Sequence, residues 1–208
     1  MIDVVIYGDS IMKGATPEGE NRYRSVMPRF LPRLAEKYGL AVTNKARFGS
    51  TIDRGYAQLQ KDLNEQAAPY RCALVEYGGN DCDFDWAAIA EAPAAEHLPR
   101  TSMAAFQDTL EAMADGLQKK DVKPLLMTLP PIHAERYLSF ICRGGLNRVN
   151  ILKWLGEAQM IYRFQEMYSS AVLKVALRRG LPLVDVRSYF LDKHNYAALI
   201  SEDGIHPS

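Results

Sequence analysis

Ser10 and His206 stand almost at opposite ends of this 208-residue chain. With Asp203 they are the residue types that nucleophilic acyl transfer needs. A serine hydroxyl is a weak nucleophile until a base takes its proton. The base in turn needs a carboxylate to fix its tautomer and stabilise the imidazolium. Asp203-Gly204-Ile205-His206 places an acid three residues before an imidazole, and Ser10 ends the run Gly8-Asp9-Ser10. The reaction also needs donors aimed at the oxygen that becomes negative, often the largest single contribution to rate. Gly49, in Arg47-Phe48-Gly49-Ser50-Thr51, offers an unobstructed backbone amide. Asn80, in Gly78-Gly79-Asn80-Asp81, offers an uncharged side-chain donor.

His97, His133 and His194 are rival bases, but none has a carboxylate three residues before it. They read as surface histidines, with His133, after Pro130-Pro131, also a candidate for the pocket wall. Asp9 and Asp81 read as local hydrogen-bonders that shape their turns. Lys45 and Arg47 beside the glycine block read as solvated loop charge. No His/Cys/Asp cluster has metal-ligand spacing, so neither metal nor cofactor is expected.

These residues need elements to bring them together. Five short apolar runs read as strands: Ile2–Tyr7, Leu40–Asn44, Cys72–Tyr77, Pro124–Thr128 and Leu181–Val186. Helical patterns fall between them, at Ser25–Tyr38, Tyr56–Gln66, Met103–Lys119 and Tyr162–Arg179. Such alternation predicts a parallel sheet covered on both faces. Gly39 and Gly180 follow two of the helices, where a left-handed cap is favoured. Ser10, Gly49 and Asn80 then fall just after the first three strands, where a doubly wound sheet places its ligands, and Asp203–His206 comes after the fifth. Ser10 is expected to open a helix, whose amino-terminal field favours negative charge. Two connections, at about 82–100 and 130–158, are longer than such units need. Their Phe84, Trp86, Tyr137 and Trp154, with His133, are candidates for substrate contact.

The chain suits one domain, and about half its residues are apolar with a quarter charged. Lys plus Arg equals Asp plus Glu at 25 each, which gives no reason to expect nucleic acid or an anionic membrane as partner. No leader pattern or membrane-spanning run is visible. Cys72, Cys82 and Cys142 read as reduced thiols of a cytoplasmic protein. A secreted protein whose leader had been removed would look the same.

In order along the chain, Ser10, Gly49, Asn80 and His206 resemble the four blocks of the SGNH hydrolases, also called GDSL-like lipases and acylhydrolases. The resemblance covers nearly all of residues 1–208 and implies a single domain with a three-layer α/β/α sandwich. Its five-stranded, mostly parallel sheet would be flavodoxin-like. Ser10 would be the nucleophile, His206 the general base and acid, and Asp203 the orienting carboxylate. Backbone N–H groups of Ser10 and Gly49, with the Asn80 amide, would form the oxyanion hole. The implied activity is hydrolysis of a small-molecule ester through an acyl-serine intermediate, with a short acyl chain or an O-acetyl group on a carbohydrate or lipid. An acyltransferase, or an inactive ligand-binding module of the same fold, is the alternative. A nucleotide-binding flavodoxin-like protein lacks support, because no Gly-rich phosphate loop follows the first strand. Ile11 stands where the family name has leucine, without touching the chemistry. Family members usually continue past the histidine into a helix, whereas Ser208 ends this chain. Either a C-terminal tail with that helix is missing from residues 1–208, the favoured reading, or the terminus frays and the His206 loop is poorly held.

Overall fold

A computed structural model describes residues 1–19, 22–65 and 70–208. β1 (Ile2–Gly8) leads into a turn and a small antiparallel hairpin, β2 (Ala15–Pro17) with β3 (Tyr23–Ser25). Then come α1 (Met27–Tyr38), β4 (Leu40–Asn44), α2 (Ile52–Asn64) and β5 (Cys72–Glu76). α3 (Trp86–Glu91), α4 (Met103–Gln118) and β6 (Lys123–Met127) follow. α5 (Ala134–Cys142), α6 (Arg148–Leu155), α7 (Gln159–Arg179), β7 (Leu183–Val184) and α8 (Val186–Leu191) complete the series of strands and α-helices.

The five strands predicted from the apolar runs form one sheet in the order β4-β1-β5-β6-β7, and every adjacent pair is parallel. The chain goes from β1 out to the edge at β4, then crosses back over β1 to β5. Strand order therefore reverses between β1 and β5, and the crevice beyond their carboxyl ends is where such sheets bind ligands. Ser10 follows β1 and Asn80 follows β5.

Successive strand residues point to opposite faces, and here they enter unequal cores. Val5 and Tyr7 of β1, Ala73 and Val75 of β5, and Leu126 of β6 pack against α2, α4 and α7. Ile6, Leu74 and Met127 turn the other way, to Leu31 of α1 and Val186 of α8. At about 1.5–3 kcal/mol for each fully buried large apolar side chain, the first face contributes most of the cohesion. The three layers are as expected, with the second helical layer thin.

Several boundaries differ from the sequence reading for identifiable reasons. Ser10 opens no helix: after a turn closed by Lys13 N–H to Asp9 C=O (3.0 Å), the chain enters β2. Residues 23–25 pair with β2, so the first helix starts at Met27 rather than Ser25. The second starts at Ile52 rather than Tyr56, because the Asp81 carboxylate accepts the Ile52 N–H at 2.9 Å and caps it from a distance. Gln66, its expected end, lies outside the described residues. Gly39 and Gly180 are left-handed caps as expected, with φ of 64° and 60°.

The two long connections are not structureless. One carries α3 and the other α5 and α6, and with the start of α7 they build a separate core. Phe84, Trp86, Ile89, Leu138, Ile151 and Ile161 are its buried members. Asp85 and Asn147 cap α3 and α6 by accepting two N–H groups each.

Candidate active site

Ser10, His206 and Asp203 meet in a continuous relay. Ser10 Oγ lies 2.8 Å from His206 Nε2, and His206 Nδ1 lies 2.6 Å from Asp203 Oδ2. Asp203 Oδ1 also accepts from Ser201 Oγ (2.7 Å), Ile205 N–H (2.9 Å) and His206 N–H (3.1 Å). Burial alone would raise this carboxyl. The hydrogen bonds from His206, Ile205 and Ser201 outweigh burial and hold it well below the usual carboxylate range. The acid is thus ionised, and the imidazole ring is fixed with Nε2 toward the serine. The Tyr23 ring, from β3, packs on the imidazole with centroids 4.9 Å apart.

The loop that carries His206 is firmly held, which goes against the fraying alternative. Its ends meet in an Ile200–Pro207 bridge. Gly204 C=O accepts the His133 N–H at 2.8 Å, and Arg136 Nη1 donates to Ala197 and Ile200 C=O at 2.7 and 2.6 Å. The anchor is therefore α5, part of an insertion. Gly204 permits the contact. At φ 79°, a Cβ there would lie 2.4 Å from Tyr137 N and 2.7 Å from His133 O.

Asn80 Nδ2 donates one proton to Asp9 Oδ2 at 2.9 Å, and the amide has a second. Asp9 is a local turn-shaper, accepting Ile11 N–H at 2.8 Å, and also the orienter of Asn80. Asp81 acts at longer range than expected, joining Ile52 to Thr101 Oγ1, which donates to it at 2.7 Å. Gly49 belongs to the loop tied to β1 by Arg47 N–H to Gly8 C=O (3.0 Å). It is exposed and does not line the cavity. Lys45 and Arg47 pair with Asp62 and Gln58 and do not line it either.

Ser10, Asn80 and His206 open onto a cavity of about 100 Å³. Phe84, Trp86 and Tyr137 line it, as the sequence suggested, with Ile11, Leu129, Ile132, Ile161, Phe164 and Ile205. Trp154 and His133 do not. Trp154 packs edge-on behind Phe84, 5.0 Å away, and faces a different hollow with His97. The His133 ring caps α5 by accepting the Arg136 N–H. Asp83 was missed: its Oδ1 accepts Trp86 Nε1 and Tyr137 Oη, both at 2.8 Å, and Arg100 lies 3.1 Å from its Oδ2. Glu76 and Gln165, also missed, are buried and reach the same cavity. A glutamate inside the apolar run Cys72–Tyr77 was a signal for the first; nothing in a helical stretch marks the second.

Comparison with known proteins agrees with this architecture. A lipase/acylhydrolase from Enterococcus faecalis superposes with a TM-score of 0.67 at 20% identity, covering 100% of this chain and 88% of the other. A point mutant of Axe2, an acetyl-xylooligosaccharide esterase from Geobacillus, gives 0.65 at 21%, covering 100% and 87%. Both likenesses concern the fold. The uncharacterized lipoprotein YqeF of Bacillus subtilis (strain 168) is 26% identical over 213 residues, spanning 99% of this chain and 81% of the relative. A profile of the GDSL-like lipase/acylhydrolase family matches residues 6–208, from the strand that leads into Ser10 through His206. The chain belongs to that family and is a serine ester hydrolase.

Proposed function

We propose that this enzyme hydrolyses small esters through an acyl-Ser10 intermediate, with the acyl chain held in the apolar cavity. The relay from Ser10 through His206 to Asp203, at 2.8 and 2.6 Å, is the observation that carries the reading. Ser10 Oγ attacks the ester carbonyl as His206 Nε2 takes its proton. The free N–H of the Asn80 amide and the backbone N–H of Ser10 meet the developing oxyanion. Gly49 N–H joins them from outside the cavity lining. The tetrahedral intermediate collapses, His206 returns the proton to the departing alcohol, and a water activated by the same imidazole releases the acid.

The lining favours an alkyl chain over a sugar inside the cavity, since Phe84, Trp86, Leu129, Ile132 and Phe164 offer apolar surface. An acetylated carbohydrate, as the name of Axe2 describes for that protein, would leave its sugar outside. A cytoplasmic location is supported by three free thiols, Cys72, Cys82 and Cys142. The lipoprotein name of the B. subtilis relative favours export instead. No helix among the described residues is long and apolar enough to cross a membrane.

Hydrolysis of p-nitrophenyl acetate, butyrate and octanoate by wild type and by Ser10→Ala tests the reading. Turnover should fall by about 10³-fold or more in the variant, with a preference among chain lengths in wild type. A folded wild type that is inert on these esters and on acetylated sugars would instead favour the binding module. Acyl transfer to an added alcohol in preference to water would make it a transferase.

A further inference from the structure

Beneath Ser10 two carboxyl groups face each other with no base between them. β1 and β5 are in register at Gly8 and Glu76, which sets Glu76 beside the backbone that leads into Asp9. Both acids are buried, Asp9 at 1% exposure and Glu76 at 0%, and both reach the cavity. Among the described residues, no N–H or O–H has hydrogen-bond geometry to either Glu76 oxygen. The group that Glu76 meets is the Asp9 carboxyl, another acceptor. Two ionised carboxylates side by side and buried repel each other strongly, so the pair holds one proton.

The surroundings decide which acid carries it. Asp9 accepts from Ile11 N–H and Asn80 Nδ2, and both donors favour its anion. Glu76 has only the nearby backbone N–H of Asp9, which falls short of hydrogen-bond geometry. Burial first, and then the charges of Asp9 and Asp81, push its carboxyl well above the usual range. Tyr77 and Cys82 are further titratable neighbours, and burial raises both, so neither brings a charge. Arg47 is the cation on that side, and it does not line the cavity.

We infer that Glu76 is a neutral positioning residue whose O–H donates to Asp9, so that a pair of single negative charge holds the Asn80 amide with its free N–H toward the acyl oxygen above Ser10. The inference rests on the ester-hydrolase reading of Asn80. A second charge at Glu76 would repel the developing oxyanion. Without the O–H, Asp9 would lose a donor and Asn80 its fixed partner. An apolar residue would fill the same strand position with less cost to folding, so the acid has a use there beyond packing.

Three measurements on the full chain test it. Infrared difference spectra at pH 7 between wild type and Glu76→Gln should show the C=O stretch of a protonated carboxylic acid in wild type alone. On p-nitrophenyl butyrate, Glu76→Leu should lower kcat by about 10- to 100-fold with KM little changed, a partial loss of one oxyanion donor. Glu76→Gln, neutral and still a donor, should recover at least tenfold over Glu76→Leu. If the leucine variant does not fold, the infrared band and the glutamine variant decide. Absence of the acid band overturns the inference, as does a leucine variant with wild-type kcat or a glutamine variant no better than it. Loss of Ser10-dependent turnover in wild type would instead sink the hydrolase reading, and the infrared result would stand apart from it.

Discussion

Two regions flank Ser10 with buried acids in opposite states. On the histidine loop, Asp203 accepts four hydrogen bonds, from Ser201 Oγ, Ile205 N–H, and the backbone N–H and Nδ1 of His206. At the strand ends, Glu76 accepts none among the described residues. Both side chains are almost fully removed from water, so burial does not distinguish them. The supply of donors does. A charge at Asp203 is stabilising where an imidazolium develops, and a charge at Glu76 would be harmful where an oxyanion develops. Burial sets the cost of ionisation, and local backbone geometry decides whether that cost is met.

The largest effect that could break this contrast lies on the histidine loop. Asp203→Asn keeps the shape but presents an amide to Nδ1, which favours the wrong tautomer. We expect kcat to fall by about 10³- to 10⁴-fold with the fold intact. A loss under tenfold, measured on p-nitrophenyl butyrate, would mean that the 2.6 Å contact orients nothing. Asn80→Ala is expected next, at about 10²- to 10³-fold in kcat with KM nearly constant. A change confined to KM would move Asn80 from the oxyanion to ground-state binding.

Stability against pH sharpens the same comparison, since the two acids shift in opposite directions. Asp203 is depressed on folding. Its contribution is present above the ordinary carboxylate value, about 4, and is lost as pH falls through the lower folded value. Asp203→Asn should therefore cost on the order of 2 kcal/mol at pH 7 and progressively less in acid. Glu76 is raised on folding. It favours the folded state fully below the ordinary value, about 4.5, and this is lost as pH rises toward the folded one. Relative to wild type, Glu76→Gln should gain stability as pH increases from 5 to 8. Parallel melting curves for the two variants across that range would abolish the distinction.

Much of this arrangement was legible because chemistry and chain order reinforce each other. Apolar runs marked all five strands, and Ser10, Asn80 and Asp203–His206 fell after strands, where side chains converge at the reversal of strand order. What escaped the sequence was contact over distance. Asp81 could not be seen to cap α2, 29 residues away, nor Asp9 to hold Asn80, 71 residues away. α3, α5 and α6 were hidden in stretches broken by Pro and Gly, because short helices depend on the core they share rather than on their own periodicity. The anchor of His206 was not legible for the same reason. Nothing near His133 in sequence announces that its N–H holds Gly204.

The smallest expected effect separates two aromatic residues that looked equivalent in the sequence. Trp86 lines the catalytic cavity and donates its indole N–H to Asp83, whereas Trp154 stands behind Phe84 and faces the hollow beside His97. Trimming Trp86→Phe opens space beside the acyl chain. At about 0.8 kcal/mol per buried methylene, one added carbon should gain roughly fourfold in relative kcat/KM. Trp154→Phe removes a comparable volume outside the cavity, so the ratio of octanoate to butyrate turnover should stay within about twofold of wild type. An equal shift from both variants would mean that Phe84 yields and the two hollows act as one. A shift from Trp154 alone would place the acyl chain on the far side of Phe84.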